Sequence, residues 1–446
     1  MKKNVVIVLL VVLVIGIFLA VTLLTGKNFI VDRNLQKSII KTFDFKNIMA
    51  EAIHINKNGE CIITGEILEP APQFGGGFLT NKSFVSVLDS SFNIKWAKST
   101  PFNDIWAIPL RNGGFAVLNQ DPYSIYVTKF DENGNALWSK KYAMAPLNFL
   151  NASFATKNVF IETKDGGFAI LGDGIIKLDS SGNIEWAKRY TGQGTYWPLL
   201  LTGSAITELE DGGYACALWI MDPPRTGGSG AVWGCCNDFL IIKIDSKGNL
   251  ISSRWIGRTR TNEGPSAISF DKNGNFVVSG WGITPKLDTS DFTTELPIIV
   301  LDKNLNVMLL KDFIVEAGDC YYLSTTDDGY IGAGGGIIAL DKNLNVQWAK
   351  RIKDIGGIPY VDTDGNTFVA IGNSPNFPSS ENTKSQVLII KGDVRKFDSD
   401  KFTNFEVKEE KFVPYINKIV TLQTEDLATK ISVTPAKITF ENLDLK

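Results

Sequence analysis

A chain of 446 residues with 44% hydrophobic side chains can bury a sizeable core, as two or three ordinary domains or as one large repeat array. Its formal net charge of −3 excludes the strongly basic surface of a nucleic-acid binder, so no nucleic-acid partner is expected. The single histidine, His54, alternates with Ile53 and Ile55 on a predicted strand, which leaves little material for the usual zinc sites or for Ser-His-Asp catalysis.

The first element in chain order is an uncharged apolar run from Val5 to Leu24, preceded by Lys2 and Lys3 and closed by Gly26-Lys27-Asn28. About 20 residues of helix span a bilayer core. A cleavable signal has a shorter apolar region and small residues at its cleavage site, but Phe18 stands where the small residue before Ala20 belongs. Residues 1–27 are therefore expected to form an uncleaved, single-pass transmembrane helix, with a cleaved signal as the alternative. The lysine pair favours a cytoplasmic N-terminus, which puts the chain after residue 28 on the extracytoplasmic side of the cell membrane.

Two hairpin signals then alternate. In the first, an Asp is followed nine residues later by Lys or Arg: Asp32/Lys41, Asp89/Lys98, Asp131/Lys140, Asp179/Lys188, Asp245/Arg254, Asp302/Lys311 and Asp341/Lys350. Four copies place Trp96, Trp138, Trp186 or Trp348 seven residues after the Asp. Each reads as strand, turn, strand, with the Asp capping its turn and the Lys pairing across strands. Copies without Gly, such as Asp302-Lys-Asn-Leu-Asn306, carry an extra Asn, which is expected to take the left-handed position. The second signal is Asn112-Gly-Gly-Phe115, Asp165-Gly-Gly-Phe168, Asp211-Gly-Gly-Tyr214, Asn273-Gly-Asn-Phe276 and Asp327-Asp-Gly-Tyr330, with looser copies at Asn58 and Asp364. Asn-Gly and Asp-Gly supply the positive φ of tight hairpins, and a short apolar β-rich run follows each.

One unit is thus four short antiparallel strands in roughly 40 residues, the length of a propeller blade. The expected fold is all-β: a seven-bladed β-propeller over residues 28–403, with eight blades as the alternative if the tail, residues 404–446, builds a further sheet. The strand Gln386–Lys391 lacks a fourth partner, and the segment from Lys37 to Phe43 is expected to supply it. The tail reads as partly strand, for example at Ile438-Thr-Phe440, and serves as a stalk or a packed edge. The repeats resemble a family of archaeal and bacterial cell-surface propeller repeats with a consensus close to DGGF…G…IIKLDSSGNIxWAK. Asp165–Lys188 and Gly329–Lys350 carry the resemblance best, and it covers about residues 29–391. It implies an exported propeller and no particular reaction. Ser252 and Leu309 depart from it where Trp is expected.

Insertions between second and third strands fall at Glu66–Lys82, Trp219–Asp238, Trp281–Pro297 and Asn373–Lys384. They share one face with the connections between blades. That face gathers the candidate binding residues Tyr196, Trp197, Trp219, Trp233, Trp281, Asp238, Arg258 and Arg260, a pattern of aromatics with polar neighbours that suits a surface protein, peptide or glycan. The alternative is that these tryptophans cover blade ends as packing. Cys216 can bridge Cys235 or Cys236 across an insertion outside the membrane; a vicinal Cys235–Cys236 bond and buried free thiols are the alternatives. Asp362-Thr-Asp364-Gly-Asn366 spaces three oxygen donors and is the calcium candidate, though the same residues make a turn; no other metal and no cofactor is expected. The function expected is a membrane-anchored binding or scaffold module. An exported polysaccharide-active or quinone-dependent enzyme and an envelope-assembly factor are the alternatives.

Overall fold

Turn chemistry fixes the hairpins. In the computed structural model, Asp179 accepts the backbone N–H groups of Ser181 and Asn183 at 2.9 and 2.8 Å and the Asn183 side-chain amide at 2.8 Å. The same three bonds recur at Asp89, Asp131, Asp245, Asp302 and Asp341. Bonds from Asn135 hold the Asp131 carboxyl below the usual carboxylate range. The structure describes residues 39–446 apart from 47, 72–76, 103–104, 122, 144–158, 194–197, 200, 222–236, 259–260, 286–291, 315–321, 334, 353–359, 366, 374–383, 396, 398–401, 405–407, 411–415, 419, 421, 437, 439 and 443–446. The run Val5–Leu24 lies outside the described residues; among those described, no helix is long and apolar enough to cross a membrane.

The described residues form seven sheets, each built on four antiparallel strands that are consecutive in the chain in all but the last, which is a seven-bladed propeller. We number the blades in chain order and their strands A to D from the inside out. Blade 1 starts at Ile48, blade 4 comprises Leu201–Glu208, Tyr214–Met221, Asn237–Ile244 and Leu250–Gly257, and blade 5 comprises Asn262–Phe270, Phe276–Pro285, Phe292–Leu301 and Val307–Ile314. Blade 7 takes Tyr360–Asp364, Thr367–Asn373 and Lys384–Asp393 from the C-terminal side, and its strand D is Ile39–Lys46, in register from Ile39↔Lys391 to Lys46↔Lys384. The A–B and C–D turns share one face. The B–C loops and the connections to the next blade share the other.

Seven buried apolar clusters lie between neighbouring blades, one at each seam. The repeat residues are stitched across these seams, not within their own hairpins. Lys140 donates to Asn183 at 2.7 Å and Lys188 to Asn249 at 2.7 Å, each reaching the Asp-turn of the following blade; Arg254 reaches Asn306 at 3.0 Å in the same way. The tryptophans follow. Trp96, Trp138 and Trp186 pack on Phe115, Phe168 and Tyr214 of the next blade. They also sit against the turn glycines Gly134, Gly182 and Gly248, so a Cβ on Gly182 would lie 2.8 Å from Trp138.

The left-handed residue in the Gly-less turns is not Asn. It is Phe92, Leu305 or Leu344, at φ 62°, 64° and 61°, and each is buried. The reason lies in the preceding blade. Where that blade lacks Trp and carries Ile39, Ser252 or Leu309, the turn fills the seam with its own apolar side chain. Burial there offsets the roughly 1–2 kcal/mol cost of left-handed backbone. We expect Gly182→Leu to destabilise the protein by about 2–4 kcal/mol and Trp138→Ser to cost about 3 kcal/mol. The double variant should recover at least about 1 kcal/mol of their sum in a denaturation cycle; strict additivity would refute this complementarity.

The C-terminal tail makes no eighth blade. Its six short strands run backward around the ring, each adding antiparallel to an outer strand: Phe402–Asn404 on blade 6, Lys408–Glu410 on 5, Ile416–Lys418 on 4, Leu422–Asp426 on 3, Ser432–Pro435 on 2 and Glu441–Asn442 on 1. Strand twist makes one direction of travel sufficient. At about 20–25° per pairing, strand D lies roughly 60–75° from strand A and so runs around the circumference. Between strands the belt sinks apolar residues into the seams: Leu422 between blades 3 and 4, Leu427 and Ile431 between blades 2 and 3, and Phe440 edge-on to Phe130. A chain ended after Phe397 bares six strand edges. It should melt at a lower temperature and associate in proportion to concentration in sedimentation runs; an unchanged melt and a monomer throughout would argue against the belt as an edge cover.

Candidate functional site

Four of the nominated residues meet at the seam between blades 4 and 5, on the face that carries the B–C loops. Trp219, on strand B of blade 4, donates its indole N–H to the Pro265 carbonyl at 3.0 Å. Its ring lies against Gly264, where a Cβ would come within 3.0 Å of the indole nitrogen. Trp281, on strand B of blade 5, meets it edge-on at 5.6 Å and 71°. Both rings are half-buried. The insertion after Trp281 is largely strand rather than loop: pairing continues to Pro285↔Phe292, and the first insertion likewise pairs out to Ala71↔Gly77.

A charged cluster lies nearby on the other face of the blade 5 sheet: an added Cβ on Gly282, next to Trp281, would meet Arg258. Arg258 follows the last strand of blade 4 and reaches across the seam to blade 5. Its backbone N–H and Nε donate to the two oxygens of Glu263 at 2.8 and 2.7 Å, Nη1 donates to Asp312 at 2.5 Å, and Nη2 pairs with Glu295 at 2.6 Å. The side chains are 13% exposed for Arg258 and 0%, 4% and 1% for Glu263, Glu295 and Asp312, so no ligand reaches these carboxylates in this state. Asp238 is buried too, accepting the Trp255 indole N–H at 2.7 Å. Gly257 lets it close: a Cβ there would fall 2.1 Å from the Asp238 carboxylate.

Burial pushes the Glu263 carboxyl up to about 7, against the pull of Arg258. Burial also raises Asp312, with Arg258 opposing and Glu295 adding. Burial works against the Arg258 charge, but Glu263, Asp312 and Glu295 together hold it above its ordinary value. Asp238 and Arg258 are thus internal parts of the seam, while Trp219 and Trp281 remain at the surface. Tyr196, Trp197, Trp233 and Arg260 lie outside the described residues.

The remaining nominated residues are elsewhere. Cys216 is a buried free thiol, its pKa raised by burial; Cys235 and Cys236 lie outside the described residues. Asp362 belongs to the closing seam, where it accepts the Ile55 N–H at 3.1 Å and stands 3.5 Å from His54. The Asp364 side chain and Asn366 are not described, and among the described residues no group of three or more His, Cys, Asp and Glu is placed to hold a metal.

Sequence reasoning missed Glu263, Glu295, Asp312 and Trp255. A signal existed. Asp238 and Glu295 occupy the same place, seven residues before Asp245 and Asp302, and Asp312 stands where other copies have Ser99, Lys141, Arg189, Trp255 or Arg351.

No protein-family model matches the sequence, and no curated protein matches it significantly. Solved structures with a similar chain course include a catalytically inactive variant of virginiamycin B lyase from Staphylococcus aureus with quinupristin, at 13% identity, a TM-score of 0.44, and coverage of 79% of this chain and 99% of that one. A luciferin-regenerating enzyme is similar at 10% identity and a TM-score of 0.35, covering 79% and 95%. A protein of unknown function from Bacteroides caccae is similar at 10% identity and a TM-score of 0.36, covering 59% and 82%.

Removing Arg258 strands three buried carboxylates. Arg258→Met should cost about 3–5 kcal/mol in chemical denaturation. Lys272→Ala, which breaks the exposed 3.7 Å pair with Asp327, should change stability by less than about 0.5 kcal/mol. Equal effects of the two would contradict the clamp.

Proposed function

We propose that this chain is a membrane-anchored, extracytoplasmic binding module whose ligand docks on the loop-bearing face at blades 4 and 5. The observation that carries this reading is the half-buried Trp219–Trp281 pair beside a sealed ion cluster. Arg258, Glu263, Glu295 and Asp312 are engaged with one another, so what the seam offers outward is aromatic surface. Aromatic faces with satisfied charges beside them suit an uncharged ligand, a sugar or a peptide segment, held by stacking and apolar contact. The run Val5–Leu24 would hold the propeller at the membrane.

The test uses the full-length chain in lipid nanodiscs, probed with arrays of neutral glycans and of peptides, beside a Trp281→Ala variant. Expected are retention in the membrane fraction after alkaline extraction, binding to one array, and a loss of at least about tenfold in affinity for Trp281→Ala at an unchanged melting temperature. Release from membranes would refute the anchor. Binding unaffected by Trp281→Ala, or none to either array, would refute the site.

A further inference from the structure

Among the described residues, the seam between blades 4 and 5 has an excess of negative charge: one guanidinium faces Glu263, Glu295 and Asp312, and the charge of Asp238 acts on Glu263 as well. Fully ionised, three carboxylates leave a net negative charge in a site closed to water, which burial penalises. The hydrogen bonding points to the remedy. Glu295 Oε2 and Asp312 Oδ1 are buried and have no hydrogen-bond donor, because Arg258 Nη2 meets Glu295 as an ion pair and not as an aligned hydrogen bond. The two carboxyls sit side by side on one guanidinium, Glu295 at 2.6 Å from Nη2 and Asp312 at 2.5 Å from Nη1. A proton on one satisfies both oxygens at once and removes one charge.

We propose that Asp312 holds a proton directed at Glu295, and that its loss as pH rises loosens the Arg258 clamp, making this seam a pH-sensitive joint beside the Trp219–Trp281 pair. Asp312 is the better home for the proton. Its Oδ2 already accepts from Arg258 Nη1, so Oδ1 can carry the hydrogen toward Glu295.

The charged groups around this pair are Arg258 from the connection between blades and Glu263 on strand A of blade 5, with Asp238 on strand C of blade 4 acting on Glu263. Strand B contributes Gly282, whose added Cβ would lie 2.8 Å from Arg258 Nη2. On the outer strand, Lys311 turns to Glu409 of the belt at 3.0 Å. Burial raises Asp312 above the ordinary carboxylate range and raises Glu263 to about 7, so the folded chain binds protons that the unfolded chain releases. Stability from the site is therefore full below the ordinary carboxylate pKa near 4. It falls as pH rises from there and is gone once pH passes the folded value, near neutrality.

The test follows the full chain between pH 4.5 and 8.5. Asp312→Asn reproduces the protonated form, with its amide N–H toward Glu295 and its carbonyl toward Arg258 Nη1. Wild type should lose melting temperature across this range, and Asp312→Asn should flatten that loss and melt above wild type at pH 8. Parallel slopes would overturn the proposal. Infrared difference spectra give a second readout: protonated carboxyl C=O intensity in the wild type at pH 6 that bleaches by pH 8.5, of which Asp312→Asn removes one component and leaves that of Glu263. Absence of the band from wild type, or an unchanged band in the variant, would overturn the proton on Asp312. Both readouts stand apart from ligand binding, so a failure of the binding reading leaves them interpretable.

Discussion

The propeller depends on one constraint: a blade has no core of its own. Each is a thin twisted sheet whose apolar faces are buried only against its neighbours, and the seven apolar clusters all lie at seams. A blade alone would leave both faces in water, so stability grows only as the ring closes. The repeated residues serve this constraint. Asp makes the turn, and Lys and Trp from the previous blade then grip that turn through its Asn and its Gly. The seam also explains the irregular copies. Trp opposite Gly and a smaller side chain opposite left-handed Leu or Phe fill a similar volume in two ways, as close packing allows when total volume is kept.

Closure uses both ends of the described chain. Ile39–Lys46 completes blade 7, so the first of the described strands is hydrogen-bonded to one of the last of the repeats. The tail then encircles six outer strands. Those strands would otherwise present open ladders, and the belt replaces them with edges of two to five residues, four of which carry charge and one of which ends at Pro435 with no N–H. Leu427, fully buried between blades 2 and 3, shows that the belt is packed as part of the fold.

At blades 4 and 5 the repeat trades its usual seam chemistry for charge. Ser252 takes the place of Trp, Trp255 turns to Asp238, and Arg258 crosses to three acids on the next blade. A buried ion cluster of this kind gives less stability than apolar packing of equal volume. What it would supply, on the proposal above, is a seam whose strength depends on protonation, beside the half-buried aromatic pair.

Blade count, hairpin faces and the need for a closing strand near Lys37–Phe43 were legible in the residues, because turn chemistry and strand alternation are local and repeat with a period. Trp219, Trp281, Asp238 and Arg258 were legible as one group for the same reason: they fall where the period breaks. Three things were decided only in three dimensions. The Lys and Trp contacts cross to the next blade because twist and ring curvature bring that turn closer than the hairpin's own. The belt strands are too short to show alternation, and each pairs with a strand far away in the chain. The carboxylates around Arg258 come from strands A, C and D of one blade, up to about 50 residues apart in the sequence. No local pattern reveals that a single buried guanidinium must answer for all of them.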